Sequence, residues 1–104
     1  QRIEMLEGAI RLPPGVAVTH YNLAYSFQKA GRLKQAIESY KQAIRLNPEF
    51  ADAHKGLAIA YLQRGERSLA LDEYALLKLI DYEQAQRLFA LIYKDKILKV
   101  GSRQ

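Results

Sequence analysis

Apolar residues recur at helical spacing along most of the chain. One stretch has packing residues at i, i+3, i+4 and i+7, namely His20, Leu23, Ala24 and Phe27. This spacing puts the side chains on one face of an α-helix, whereas a half-buried strand would alternate at every second residue. No segment of the sequence shows that alternation. The pattern predicts an all-α fold, with helices at about 2–12, 17–30, 35–46, 49–64, 67–80 and 82–99.

Capping and turn residues mark the predicted helix ends. Gly31 and Gly65 lie between helical stretches, where a helix commonly ends in a left-handed residue. Asn47 before Pro48 predicts an N-cap followed by proline at the first helical position. Asp81, with Gln84 three residues later, has the spacing of a capping box.

An internal repeat of 34 residues organises the chain. At this offset, several residues recur unchanged. Among them, His20, Leu23, Ala24, Gly31, Ala36 and Tyr40 become His54, Leu57, Ala58, Gly65, Ala70 and Tyr74. The segment 43–48 likewise aligns with 9–14. Because two helices approach closely only where the contact side chains are small, the repeated alanines predict the tight crossing within each helix pair.

These positions resemble the tetratricopeptide repeat, whose pattern is W-x2-L-G-x2-Y, then A-x3-F, then P. The first copy matches through His20, Leu23, Ala24, Phe27, Ala36, Tyr40 and Pro48. The second copy matches through His54, Leu57, Ala58, Tyr61, Ala70 and Tyr74. Histidine replaces the first aromatic residue of the pattern in both copies. Leu77 stands at the position of the small residue Ala43, and Tyr82 at that of proline.

The resemblance implies one domain over residues 1–104, folded as a right-handed superhelix of antiparallel helix pairs. Residues 1–14 would be the second helix of a partial repeat. Full repeats would follow at 17–50 and 51–84, and a long C-terminal capping helix at 82–100. A capping helix usually has a polar outer face, but this last helix is more apolar than that.

Composition excludes several classes of protein. Hydrophobic residues make up 49% and charged residues 26%, which is typical of a globular chain and excludes disorder. The absence of cysteine excludes disulfides, thiolate metal sites and a cysteine nucleophile. No apolar run is long enough to cross a membrane, and we expect no signal peptide in the chain. The compartment stays undetermined.

The sequence gives no indication of an enzyme. His20 and His54 occupy equivalent packing positions, and neither has another histidine, cysteine or close carboxylate at i±3 or i±4. A zinc site would need three or four ligands, so we expect no metal site. The acids Asp72 and Glu73 are sequence neighbours that point in different directions on a helix. No phosphate-binding glycine loop is present. We therefore expect no catalytic residues and no cofactor.

In the resembled family, the first helix of each repeat lines a concave groove that binds peptides. By that register, the candidate groove residues are Tyr21, Asn22, Tyr25, Lys29, Lys55, Ile59, Leu62, Gln63, Phe89 and Tyr93. Tyrosine, phenylalanine and arginine are enriched in interface cores. The expected function is binding of a protein or peptide segment, as an adaptor or scaffold, with Tyr21, Ile59, Leu62 and Phe89 forming an exposed apolar patch.

One subset of the family binds the acidic C-termini of heat-shock chaperones through a two-carboxylate clamp. Asn22 matches the first asparagine of that clamp, but Gly56 stands at the second asparagine and Ala90 at the arginine. We therefore expect the clamp to be absent.

Two alternatives stay open. The first is self-association: Leu6 and Leu98 lie on apolar helices at the two ends, as expected of a fragment of a longer array or of a homodimer. The second is nucleic-acid binding, for which Tyr21, Tyr25, Lys29 and Lys55 could serve. The net charge is +5, but the basic residues are spread along the chain rather than concentrated in one stripe, which disfavours nucleic acid.

Overall fold

The computed structural model describes residues 14–103, with side chains for residues 15–94. The described chain is all-α. Its five helices are α1 (Pro14–Lys29), α2 (Leu33–Leu46), α3 (Ala51–Gln63), α4 (Arg67–Ile80) and α5 (Tyr82–Arg103). The predicted helix 2–12 and the side chain of Leu98 lie outside the described residues.

The two glycines end their helices as expected. Gly31 has φ 81° and Gly65 has φ 82°, a backbone conformation that side chains with a Cβ rarely adopt. The following amides reach back to close the helix, with Arg32 N–H donating to Phe27 O and Glu66 N–H to Tyr61 O. The turn between the two helices of a repeat is therefore built in the same way in both repeats.

Two predicted helix starts differ in their outcome. Asn47 does not cap α3: its Oδ1 accepts from the Glu49 amide at 3.2 Å, and the helix begins later, at Ala51. Asparagine here forms a local turn instead of a cap. Asp81 Oδ1 does accept a hydrogen bond from the backbone N–H of Gln84, at 3.1 Å. The Gln84 side chain does not complete the capping box and donates to Asp52 instead.

The repeated alanines lie in the hydrophobic core. Ala24, Ala36, Ala58 and Ala70 are all fully buried. Tyr40 and Leu77 are the large residues beside them, each at most 1% exposed. Leu77 thus occupies the core although its counterpart is Ala43, and the core continues into α5 through Ala85, Leu88 and Ile92.

The helices form two layers. Each helix packs against the next one in the chain, and α3 also contacts α1 and α5. The first helices of successive repeats therefore lie side by side, with α2 and α4 behind them.

One packing expectation is wrong. Leu23 is 45% exposed, whereas Leu57, at the same repeat position, is 2% exposed. Because α3 lies between α2 and α4, Leu57 has packing helices on both sides. Among the described residues α1 has them on one side only. His20 is likewise half-buried, while His54 is 3% exposed.

Candidate functional site

The neighbouring helices α1, α3 and α5 present one surface, which we call the first-helix face. Its repeat-equivalent positions carry Tyr21, Lys55 and Phe89 in one row, and Tyr25, Ile59 and Tyr93 in the next. Residues four apart on a helix lie on the same side. The face therefore has aromatic side chains on its two outer helices and a cation and an aliphatic side chain in the middle.

A cavity of about 210 Å³ opens on this face between α1 and α3. It is lined by Tyr21, Tyr25, Gln28, Tyr40, Asp52, Lys55, Gly56 and Ile59. Four of the ten predicted site residues meet here: Tyr21, Tyr25, Lys55 and Ile59. The cavity has the size of a side chain and combines apolar walls with several polar groups, which is the usual character of a ligand site.

The floor of the cavity is Tyr40, which the sequence did not indicate as a site residue. Its ring crosses α3 at Gly56, where an added Cβ would lie 2.5 Å from Tyr40 Cζ. The Tyr40 hydroxyl donates to Gln28 Oε1 at 2.6 Å, and Gln28 Nε2 donates to Gln63 Oε1 at 2.7 Å. A glycine in the middle of a helix was the available signal, since such a residue often marks a close approach.

The asparagine of the carboxylate clamp would not fit at Gly56 without movement of Tyr40. Its Cβ would lie 2.5 Å from Tyr40 Cζ, closer than a Cβ approaches another side chain. The space that the clamp residue would use is filled by the tyrosine from α2.

The predicted apolar patch is less exposed than expected. Tyr21, Ile59 and Leu62 are half-buried, and of the four residues only Phe89 is exposed. The Tyr21 ring packs 5.8 Å from that of Tyr40 and 5.1 Å from that of Phe50, centroid to centroid. Leu62 lines a different cavity, of about 300 Å³, together with Gly65, Arg67, Leu91 and Ile92.

Tyr25 is the exposed aromatic side chain of the first cavity. It is 49% exposed, and the Lys29 ammonium lies 5.4 Å from its ring centroid. Asn22 and Gln63 are exposed as well. A large, partly exposed aromatic ring beside a cation suits contact with a partner.

A second aromatic cluster joins α4 to α5. Phe89 lies 5.6 Å from Tyr74 and 4.7 Å from Tyr93, measured between ring centroids. The Arg67 guanidinium lies 5.5 Å from the Tyr93 ring and donates to Ile92 O. Phe89 and Tyr93 thus come together as predicted neighbours, but they lie apart from the α1–α3 cavity.

Two tyrosines of the cavity, Tyr21 and Tyr40, keep their hydroxyl protons at neutral pH because their pKa values are raised. Burial raises the pKa of Tyr21 above its ordinary value of 10.0, and the Asp52 carboxylate raises it further. Burial likewise raises the pKa of Tyr40 far above 10.0. Asp52 itself accepts a hydrogen bond from Gln84 Nε2 at 2.8 Å, and this exposed bond links α3 to α5.

His54 lies in the core rather than on this face. Its Nδ1 faces Glu73 Oε1 and its Nε2 faces Pro48 O, both at 2.7 Å. Both partners accept, so the protonated imidazole fits the pocket. Within residues 15–94 no group of three or more potential ligands could hold a metal ion.

Residues 26–65 match the family model of the TPR repeat. This part of the chain is a TPR repeat. The matched segment runs from the last turn of α1 through α2 and α3. It contains Tyr40 and Gly56 of the first cavity but not Tyr21 and Tyr25. Proteins of this repeat generally mediate protein–protein interaction and are typically non-catalytic. A search of curated proteins gave no match.

No helix in the described part of the chain is both long and apolar enough to cross a membrane.

Proposed function

We propose that this chain binds a peptide or protein segment on its first-helix face, as a non-catalytic adaptor or scaffold. The observation that carries the proposal is the cavity between α1 and α3, whose rim presents the exposed Tyr25 ring and the Lys55 side chain. Such a cavity can take one side chain of a bound segment while the flanking surface holds its backbone.

The polar groups around the cavity support a peptide as the ligand. The exposed side-chain amides of Asn22 and Gln63 can donate to and accept from a peptide backbone, whereas the amide of Gln28 already bonds Tyr40 and Gln63. Tyr25 and Phe89 supply apolar contact area at low cost in side-chain entropy. In this proposal residues 17–50 and 51–84 form the two binding repeats, and α5 adds a third wall.

A self-association module is the second candidate. It is favoured by Leu23 and Leu91, which are 45% and 43% exposed although Leu57 at the equivalent position is buried. Copies stacked end to end would cover these leucines, as neighbouring repeats cover Leu57. Sedimentation at several protein concentrations tests this candidate: a single monomeric species up to millimolar protein would exclude it.

The binding proposal is tested by selecting peptides from a random 12-residue display library on the immobilised chain, then measuring their affinity by calorimetry. Tyr25→Ala should weaken the selected peptides by about 1–2 kcal/mol while the helical content stays that of the parent, because the variant removes an exposed anchor ring.

Tyr82→Ala is the matched control. Tyr82 is 63% exposed but starts α5 outside the cavity, so this variant should bind like the parent. If no peptide is selected, or if both tyrosine variants lose affinity equally, the first-helix face is not the binding site.

A further inference from the structure

The outer surface of α4 differs from that of α2 at equivalent repeat positions. Six residues of α2 point away from the core: Lys34, Gln35, Glu38, Lys41, Gln42 and Arg45. Their counterparts on α4 are Ser68, Leu69, Asp72, Ala75, Leu76 and Leu79, all of them exposed. These six positions thus carry four charged residues on α2 but only one, Asp72, on α4. We call this second set the α4 stripe.

The leucines of the α4 stripe face solvent and are not part of the core. Leu69 is 40% exposed, Leu76 is 46% exposed and Leu79 is 85% exposed. The buried side of the same helix is formed by Ala70 and Leu77, both fully buried. The stripe therefore lies on the side of the molecule away from the first-helix face, and peptide binding there does not account for it.

The spacing of the stripe fits a helix. Leu69, Asp72, Leu76 and Leu79 are separated by three, four and three residues, which is the seam spacing of helices that pack side by side. Ser68 and Ala75 flank that seam. Because these side chains are small, a second helix can approach α4 closely.

A second copy of this chain fits the stripe poorly. In an antiparallel pairing of two stripes, each Asp72 carboxylate would face Leu76 of the other copy, and the stripe holds no base to compensate it. The charge therefore favours a helix of another protein with a base placed opposite Asp72.

We infer that the α4 stripe docks an amphipathic helix of another protein, whose apolar seam carries a lysine or arginine facing Asp72. Leu69, Leu76 and Leu79 contact the apolar residues of that helix, and Asp72 pairs with its base. The site is separate from the proposed peptide site and does not depend on it.

The test uses designed helical peptides of about 18 residues as probes, with leucines in one seam. One probe has lysines at its other positions and the second has glutamates. Fluorescence anisotropy measures their affinity for the full chain. The net charge of +5 attracts the glutamate probe non-specifically. A preference for the lysine probe, of at least about tenfold, is therefore a stringent expectation.

Three variants locate the binding. The triple variant Leu69→Gln, Leu76→Gln, Leu79→Arg gives α4 the residues that α2 carries there, and should abolish binding of the lysine probe. Asp72→Lys should reverse the preference toward the glutamate probe. Tyr25→Ala should leave lysine-probe affinity unchanged. All substituted positions are exposed, so circular dichroism and the unfolding temperature should match the parent in each variant.

Equal or tighter binding of the glutamate probe to the parent would overturn the inference, as would unchanged binding by the triple variant. Dimerisation of the parent that the triple variant loses would assign the stripe to a second copy instead. Loss of the lysine probe in Tyr25→Ala would move its binding to the first-helix face.

Discussion

The side chain of His54 links three parts of the second repeat. It lies on α3, and its ring nitrogens reach Glu73 on α4 and the carbonyl of Pro48 before α3. The hydrogen bond to the Glu73 carboxylate raises the pKa of His54 above its ordinary value of 6.5, although burial opposes the charge. His54 therefore binds a proton more tightly in the folded than in the unfolded chain.

This linkage sets the sign of a pH effect on stability. Because the folded pKa is raised, the His54–Glu73 pair contributes fully below pH 6.5, and its contribution is lost as the pH rises through the folded pKa. Urea unfolding of the parent and of Glu73→Gln should differ by about 1–3 kcal/mol near pH 5.5, and the difference should shrink toward alkaline pH. A difference that stays constant or grows with pH would contradict the protonated pair.

Gly56 is a second residue whose role is local. Alanine normally stabilises a helix interior relative to glycine, but Gly56→Ala would push its Cβ against the buried Tyr40 ring. We expect the ring to swing into the cavity and lose its bond to Gln28, at a net cost of about 1–2 kcal/mol in unfolding free energy.

Gly15→Ala is the control for this change, since nothing lies within 4 Å of an added Cβ there. It should be neutral or slightly stabilising in the same urea titration. If Gly56→Ala stabilises the chain as Gly15→Ala does, the cavity floor does not depend on the glycine.

At the scale of the element, α4 shows how one helix serves two surfaces. Its inner side places the fully buried Ala70 in the core against α3, and its outer side carries exposed leucines. A small residue is required only on the inner side, where the backbones approach.

Ala70→Leu should therefore destabilise the chain by roughly 1–3 kcal/mol through overpacking. Ser68→Leu, on the exposed side of the same helix, should change the unfolding free energy by less than about 0.5 kcal/mol. Thermal or urea unfolding of the two variants separates the effects. Equal stabilities would contradict the packing register of the repeat.

At the scale of the whole molecule, residues at the same repeat position contribute differently to the free energy of unfolding, because their neighbouring helices differ. Leu57 lies between helices on both sides, whereas Leu23 and Leu91 belong to the outer helices of the described array and stay more than 40% exposed. Stability in such arrays is the sum of contacts between adjacent units.

Truncation of the same residue at two repeats measures this difference. Leu57→Ala should cost about 2–4 kcal/mol of unfolding free energy, because it leaves a cavity in the core. Leu23→Ala should cost less than about 1 kcal/mol, because much of its side chain is already in water. Similar losses in the two variants would indicate that α1 is covered on its outer side in solution.

The sequence by itself determined the described helices and their pairing and indicated the TPR repeat, because these follow from local spacing and from residues repeated at a fixed offset. Leu57, Ala36 and Ala70 are buried as the pattern predicts.

Only the tertiary structure decided which outward positions are exposed and which are half-buried. Tyr21 is half-buried because rings from α2 and the following turn pack on it, and Leu23 is exposed because its burial depends on a neighbouring helix. The cavity too required the fold, since Tyr40 and Gly56 are distant in sequence and meet only when α2 crosses α3. Periodicity reports the face on which a residue lies, whereas burial depends on what another part of the chain places opposite it.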